Sequence, residues 1–530
     1  MKVDDNATLV RAADPAEAGP PKFFSIVWRC ERDAVAETRD EPEYFRDLAL
    51  DRIVDPIVAE WKDYDLAPFF YTRLDDVDAI GWRHEVFRDL ECDETLAAVR
   101  AFSGRMRTVG MRLTHAAKAH YRYEKERLHL EAARHYAETV EELLPRLSAA
   151  ALGSRGMRAF RTWLAAYAQS PAFLALKSEV RAVLDALAAV HYCILIDGDT
   201  VTVRPYAGET DYTAAVETTF EKFRRAAVED FRVRFPAFSG VNHIEAQIQD
   251  RVALLDPGPF QALDAFGAAH PEFIDPVIAR FDREVQFYVA WLGYFAPVAA
   301  TGLRWCYPRM LQERREVRAR DTYDLALAKG LAGAGKAVVC NDFALHGVER
   351  IFVVSGPNNG GKTTFARTFG QLHHLAQIGC PVAGSEAALW HFDRMYVHFE
   401  RQEDIANLRG KLQDDLVRIR GILERMTPDS IVVMNEIFSS TTLQDAIFLG
   451  RKVLERVSAL DAIGVCVTFL DELATVNAKM VSLTSTVDQR DPAIRTFRIV
   501  RRPPGGRIYA LAIAEKYHVD YASLAERFKR

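Results

Sequence analysis

A chain of 530 residues, 49% hydrophobic and 27% charged, has room for about three domains and needs no covalent staples to hold its cores. A net charge of −6 excludes a global basic field, so any nucleic-acid surface must be local. Seven cysteines without a C-x-x-C pair argue against structural zinc and for reduced thiols in a cytoplasmic protein. No signal peptide and no run of about 18 apolar residues is visible, so no membrane span is expected.

In chain order, residues 1–40 form an N-terminal tail whose first 20 positions are polar and Ala/Pro/Gly-rich. Helical periodicity then dominates residues 41–325 and predicts helices over Glu43 to Trp61, Asp75 to Leu90 and Leu96 to Leu147. It breaks at residues 193–204, where Asp197-Gly198 between β-branched residues reads as a hairpin. A long helix follows from Tyr212 toward Phe231. Pro236, Gly240 and Pro257-Gly258-Pro259 punctuate the next stretch, and an aromatic-rich helix runs from Pro276 to about Gly302.

From residue 326 to 530 strands and helices alternate, the α/β texture. The predicted strands are Ala337–Cys340, Ile351–Ser355, Arg394–Phe399, Ile431–Asn435, Gly464–Thr468 and Lys479–Thr484. The fold class is therefore α + α/β, a mainly helical part followed by a nucleotide-binding part with a mixed sheet.

The chemistry sits in Gly356-Pro357-Asn358-Asn359-Gly360-Gly361-Lys362-Thr363, followed by Thr364. This G-x-x-x-x-G-K-T run lies between an apolar β-branched strand and a helix, the context a phosphate-binding loop requires. Glycines let backbone N–H groups close around phosphate oxygens at a helix N-terminus. Lys362 is expected to neutralise the β and γ phosphates, and the Thr363 hydroxyl to hold Mg²⁺, so the cofactors are ATP and Mg²⁺. Further on, Ile431 to Met434 is an apolar run ending in Asn435-Glu436, the shape of a strand that brings an acid to the γ phosphate. Glu436 is placed to polarise water, and Asn435 offers a neutral oxygen to the metal's waters.

These residues resemble the MutS family of DNA mismatch-repair ATPases, a branch of the ABC-type ATPases. The loop is similar to the family's G-P-N-x-G-G-K-[ST]. Met434-Asn435-Glu436-Ile437 with Ser440-Thr441-Thr442 and Asp445 is similar to its Walker B strand and the loop after it. Asn341-Asp342 upstream, Thr468 to Leu473, and Tyr509 to Ala514 with Val519 fit the same pattern. Residues 65–190, including Arg83 to Phe87, resemble the family's helical core, and Arg280 to Pro297 its returning lever helix.

The resemblance implies a helical core and lever, then an ABC-type P-loop ATPase domain. It implies a dimer in which Gly410 and Lys411 of a signature loop reach the partner's site in trans. It also implies ATP-dependent DNA binding in mismatch repair or DNA-structure surveillance, with hydrolysis coupled to lever movement. The departures are specific. Phe469 occupies the switch position where the family has histidine, the signature loop reads Gly410-Lys411-Leu412 without a serine, and Asn435 replaces an aspartate. These imply slow hydrolysis. No F-x-E mismatch wedge occurs, and the clamp region is reduced to about 232–273, so DNA would be gripped with little mismatch selectivity. The alternative is a nucleotide-dependent structural switch acting on a protein or ribonucleoprotein.

Three other features stand outside these motifs. Six arginines between Arg304 and Arg320, beside Trp305 and Tyr307, read as phosphate contacts or as a solvated helix face interleaved with Glu313, Glu316 and Asp321. Phe231, Arg232, Arg234, Phe235, Phe238 and His243 read as a backbone grip or a small apolar cap. His373-His374 read as structural.

Overall fold

A computed structural model describes residues 23–35, 37–209, 215, 218–219, 240–313, 316–400, 410–488, 490–491 and 494–504. The tail 1–20, the helix 212–231 apart from isolated positions, the aromatic-basic group Phe231–Phe238, Arg314, Arg315, and the closing segment Tyr509–Ala514 with Val519 lie outside the described residues. The chain divides into two compact units, each discontinuous in sequence. One comprises 1–23, 92–152 and 158–282; the other comprises 24–91, 153–157 and 283–530.

The first unit is built on two long helices, Asp93–Lys118 and Arg122–Ala149. The sequence period ran through residues 96–147 without a stop, because Ala119-His120-Tyr121 contains neither glycine nor proline. The chain nevertheless leaves helix there, with Ala119 and Tyr121 extended, and doubles back so that the two helices bury Val99, Phe102, Val109, Val140 and Leu143. Phe160 stacks on Phe281 with ring centroids 3.6 Å apart. The Tyr136 hydroxyl lies 2.8 Å from that of Tyr167 and accepts the Asp275 N–H at 3.1 Å, so this buried polar pair is satisfied. Strands β1 (Tyr192–Asp197) and β2 (Thr200–Pro205) pair antiparallel, and Gly198 takes a φ of 62° at their turn. Pro257-Gly258-Pro259 does not form a loop. It opens the helix Pro257–Ala269, where proline's missing N–H costs nothing in the first turn.

Among its described residues the second unit carries three sheets. β3 (Trp305–Cys306), β4 (Arg309–Leu311), β5 (Glu316–Thr322) and β6 (Asn341–His346) precede β7 (Ile351–Ser355). β8 (Val382–Ala383), β9 (Glu386–Trp390), β10 (Met395–Phe399) and β11 (Ile431–Asn435) follow, then β12 (Ile463–Val467), β13 (Met480–Val487) and β14 (Arg495–Arg501). The main sheet runs β10-β11-β12-β7-β13-β14, parallel except for antiparallel β14. Its inner strands are buried along their whole length, which is why they read as unbroken Val/Ile runs.

Ile351–Ser355 and Ile431–Asn435 form as expected, and three of the expected strands shift by one residue at an end or extend further. Ala337–Cys340 is not strand; pairing starts at Asn341. The arginine-rich run is a correction as well. Arg309 lies on β4 and Arg318 and Arg320 on β5 rather than on a helix, with Val317 and Ala319 buried and Arg318 paired to Glu386 at 2.7 Å. Glu43–Trp61 is helical only from Asp51 to Glu60, because Ala49 sits at φ 55° just before it.

The helix Lys362–Gln377 is buried on nearly all sides. His373 and His374 bond the carbonyl oxygens of Phe369 and Phe70, and burial pushes both down to about 4, so they are neutral structural side chains. Arg83, fully buried, donates to the carbonyls of Val27, Phe69 and Ile378.

Candidate functional site

β7 ends at Ser355 and the Lys362–Gln377 helix begins at Lys362, leaving Gly356–Gly361 to turn the chain. Two glycines there are obligatory for different reasons. Gly356 adopts φ 118°, a conformation closed to other residues. At Gly360 a Cβ would fall 2.1 Å from Ser485 Oγ, and that hydroxyl donates to the Gly360 carbonyl at 2.7 Å. Asn359 tolerates φ 56°, as asparagine does more readily than most.

Lys362 is 5% exposed. Its ammonium donates to the carbonyls of Gly356 at 3.0 Å and Pro357 at 3.1 Å, and lies 4.2 Å from the centre of the Phe469 ring. Burial holds it below the usual ammonium range, partly offset by Glu436 and reinforced by Arg495. Thr363 Oγ1 donates to Asn435 Oδ1 at 3.0 Å, which joins the helix start to the end of β11. Glu436 follows at φ 55°, a strained position for glutamate, with its N–H bonded to the Val467 carbonyl. Burial raises the Glu436 carboxyl above its ordinary range; Lys362 opposes this and Glu400 adds to it.

These residues open on a cavity of about 750 Å³. Its lining is polar at Asn358, Asn359, Gly360, Gly361, Lys362, Thr363, Thr364 and Glu436, with Phe469 beside Lys362. It is apolar at Leu327, Leu331, Val338, Val339 and Phe497. A cavity of this size suits a small-molecule ligand with a charged tail. The donor set Thr363 Oγ1, Asn435 Oδ1 and Glu436 is all oxygen, which fits a hard ion such as Mg²⁺. No group of three or more His, Cys, Asp or Glu side chains able to hold a metal occurs among the described residues, so any Mg²⁺ would be held mainly through its ligand and waters.

Gly410 caps the helix Lys411–Arg425. Lys411 is bound within the same chain to Glu400, which also accepts the Ser439 hydroxyl at 2.8 Å. Lys411 and Ser439 together hold the Glu400 carboxyl below its usual range. The sequence reading missed Glu400, Ser485 and Arg495. Arg495 donates from Nε to the Asn358 carbonyl at 3.1 Å. All three sit on strands, or just past a strand end, far from the motif in sequence, and only the β10–β11 and β7–β13 registers bring Glu400 and Ser485 to it.

Fold and site define a protein of mixed helix and sheet in which a glycine loop, between a buried parallel strand and a helix, lines a cavity. Residues 352–524 match the family description MutS domain V. The match is confined to the C-terminal part, which is therefore similar to domain V of the MutS family. Two relatives named Endonuclease MutS2 are similar over the same kind of span. The one from Gemmatimonas aurantiaca is 30% identical over 203 residues, 38% of this chain and 25% of the relative. The one from Thermus thermophilus is 33% identical over 180 residues, 34% of this chain and 24% of the relative. The match thus spans about a quarter of each relative's length. No helix among the described residues is long and apolar enough to cross a membrane.

Proposed function

We propose that this chain is a MutS-like ATPase whose ATP-binding domain has the ABC-type P-loop fold, spans about 326–530, and follows a helical core and lever. The observation that carries this reading is the convergence of Lys362, Thr363 and Glu436 on a nucleotide-sized cavity, with Asn435 bonded to Thr363 behind them. In this reading the backbone of Gly356–Thr364 cradles the phosphates. Lys362 exchanges its two loop carbonyls for the β and γ phosphate oxygens. Charge-assisted bonds of this kind contribute roughly 1.5–3 kcal/mol each. Glu436, unprotonated, orients and polarises the attacking water. Bound Mg²⁺ would supply charge neutralisation between the phosphates, with Thr363 and Asn435 beside it. The apolar lining residues Leu327, Leu331, Val338 and Val339 receive the base.

Asn435 lacks the charge that would grip the metal's waters, and Phe469 offers no proton-bearing group at the rim, so turnover is slow. Two copies pair, with Gly410 and Lys411 facing the partner's nucleotide once Lys411 leaves Glu400. ATP favours the closed pair and so shifts its population. The macromolecular partner is DNA, in the cytoplasm, bound with little preference for a mismatch. One observation favours the rival, a nucleotide-driven switch on a protein or ribonucleoprotein: the sequence contains no F-x-E wedge. Binding of matched, mismatched and branched duplexes, with and without ATP, separates the two. Nucleotide-dependent duplex binding supports the first, and nucleotide binding with no duplex affinity supports the rival.

A further inference from the structure

Resting on the reading that the cavity takes ATP, we infer that Gln371 is a positioning residue. It fixes the apolar wall that receives the base at a set place relative to the loop that holds the phosphates.

Part of that wall is carried by the helix Leu325–Ala332, only 8 residues long. Leu327 and Leu331, four apart and so on one side, line the cavity, while Leu325 and Ala328 are buried. A helix this short does not hold itself in water, so tertiary anchors must set its place. At its start Asp324 Oδ1 accepts the Leu327 N–H at 3.1 Å. The same oxygen accepts the Gln371 amide Nε2 at 2.9 Å. Gln371 Oε1 accepts the Leu325 N–H at 3.0 Å, and Nε2 also donates to the Leu48 carbonyl at 2.8 Å.

Gln371 is fully buried, so these three bonds stand in for water. They also fix which way the amide points. The Leu325 N–H can only donate and the Leu48 carbonyl can only accept, so one orientation satisfies both. The close approach to Leu48 is built in by the preceding residue. A Cβ at Gly370 would fall 2.6 Å from the Leu48 methyl carbons, and glycine is what lets the two segments come together.

The other end of the argument is the helix to which Gln371 belongs. Lys362–Gln377 opens with Lys362 and Thr363 at the cavity. Gln371 follows Lys362 by nine residues, roughly 14 Å along the axis. One rod therefore carries the phosphate-binding side chains and, further along, the anchor of the wall.

The neighbours of Gln371 sharpen the point. Arg367, His374 and Gln377 lie on the same side of the helix and bond the carbonyls of Asp47, Phe70 and Leu74. Those bonds fasten the helix to the N-terminal segment of the second unit, and none of the three carbonyls belongs to a residue that lines the cavity. Of these four side chains, Gln371 alone among the described residues also bonds a cavity-lining residue, Asp324. The arrangement assigns it the spacing of the site and not only the packing of the helix.

The test is isothermal titration of the full chain with ATP and with inorganic tripolyphosphate, both with Mg²⁺. Tripolyphosphate has no base and engages the glycine loop only. Gln371→Met keeps the length of the side chain and removes its amide. ATP affinity should fall at least about tenfold, because the wall loses an anchor and buried groups lose their partner. Tripolyphosphate affinity should stay within about twofold of wild type. Asp324→Ala should show the same selective loss. Asp324→Asn, whose amide oxygen can accept both bonds, should keep ATP affinity within about twofold. Circular dichroism of each variant reports the fold, and should Gln371→Met not fold, the Asp324 pair decides the matter. A residue with a merely structural role would lower both affinities or neither. Either result, beside a wild type that binds both ligands, overturns this inference alone. A wild type that binds neither overturns the glycine-loop reading, and this inference with it.

Discussion

β7 and the helix Asp93–Lys118 handle polar groups in opposite ways. β7 is buried throughout and hands the chain to a loop whose polar atoms point inward, onto one another and into a cavity. Lys362 is nearly enclosed there, and its neighbours are two carbonyls and a ring. The long helix instead buries its apolar side and leaves arginine and lysine in water. In the first region charge acts at contact distance in a low-dielectric pocket, so single substitutions matter and salt matters little. In the second, charge acts through solvent, so effects are shared among many residues and screened by salt. The contrast says where function can be broken with one atom and where it can only be eroded.

Substitutions around the glycine loop should break it. The largest effect belongs to Glu436→Gln. ATP binding should persist while turnover drops about 10²–10⁴-fold, since the amide cannot act as a base. Phosphate release beside a binding titration checks it, and wild-type turnover would mean that another group activates water. In the wild-type chain the same carboxyl predicts a pH dependence of the proposed hydrolysis. Its ionisation is raised, and only the ionised form acts as a base. Activity should therefore fall on acidification at a pH above the ordinary carboxylate range.

Lys362→Ala comes next. Loss of about 1.5–3 kcal/mol should weaken ATP roughly ten- to two-hundredfold with the melting curve unchanged. The difference should persist at high salt, and a difference that salt erases would blur the contrast between the two regions.

Gly464→Ala probes the sheet that holds the loop. Its Cβ would lie 2.5 Å from the Val432 carbonyl on the adjacent strand, so the sheet must shift, at a cost of about 1–3 kcal/mol in denaturant titration. The smallest effect is expected for Asn435→Asp, which should raise turnover a few-fold by adding charge near the metal. A fall would show that the Thr363–Asn435 bond, made to a neutral oxygen, is what the site requires.

The same contrast explains what could be read in advance. β7, β11 and β12 were legible because strands buried on both faces are written as contiguous Val/Ile runs, and the loop because its constraints fall on eight adjacent residues. Short edge strands were not. β5 reads Glu316-Val317-Arg318-Ala319-Arg320, and its two-residue alternation was masked by charge density that suggested a helix. β3 and β8 are two residues each and carry no pattern to detect. The turn at Ala119–Tyr121 has no breaker residue, because packing of one helix on the other imposes it. Ser485, Glu400 and Arg495 were invisible as site residues for a related reason. Each is ordinary in its own segment and acquires a role only through strand pairing.

The central claim is that the glycine loop binds the phosphate tail of ATP. Isothermal titration of the full chain with ATP, ADP and AMP in the presence of Mg²⁺ tests it most directly. The account predicts saturable binding of ATP at one site per chain, weaker binding of ADP, and little or none of AMP, which lacks the β and γ phosphates that Lys362 would hold. Equal affinity for ATP and AMP, or no binding of ATP, would contradict it.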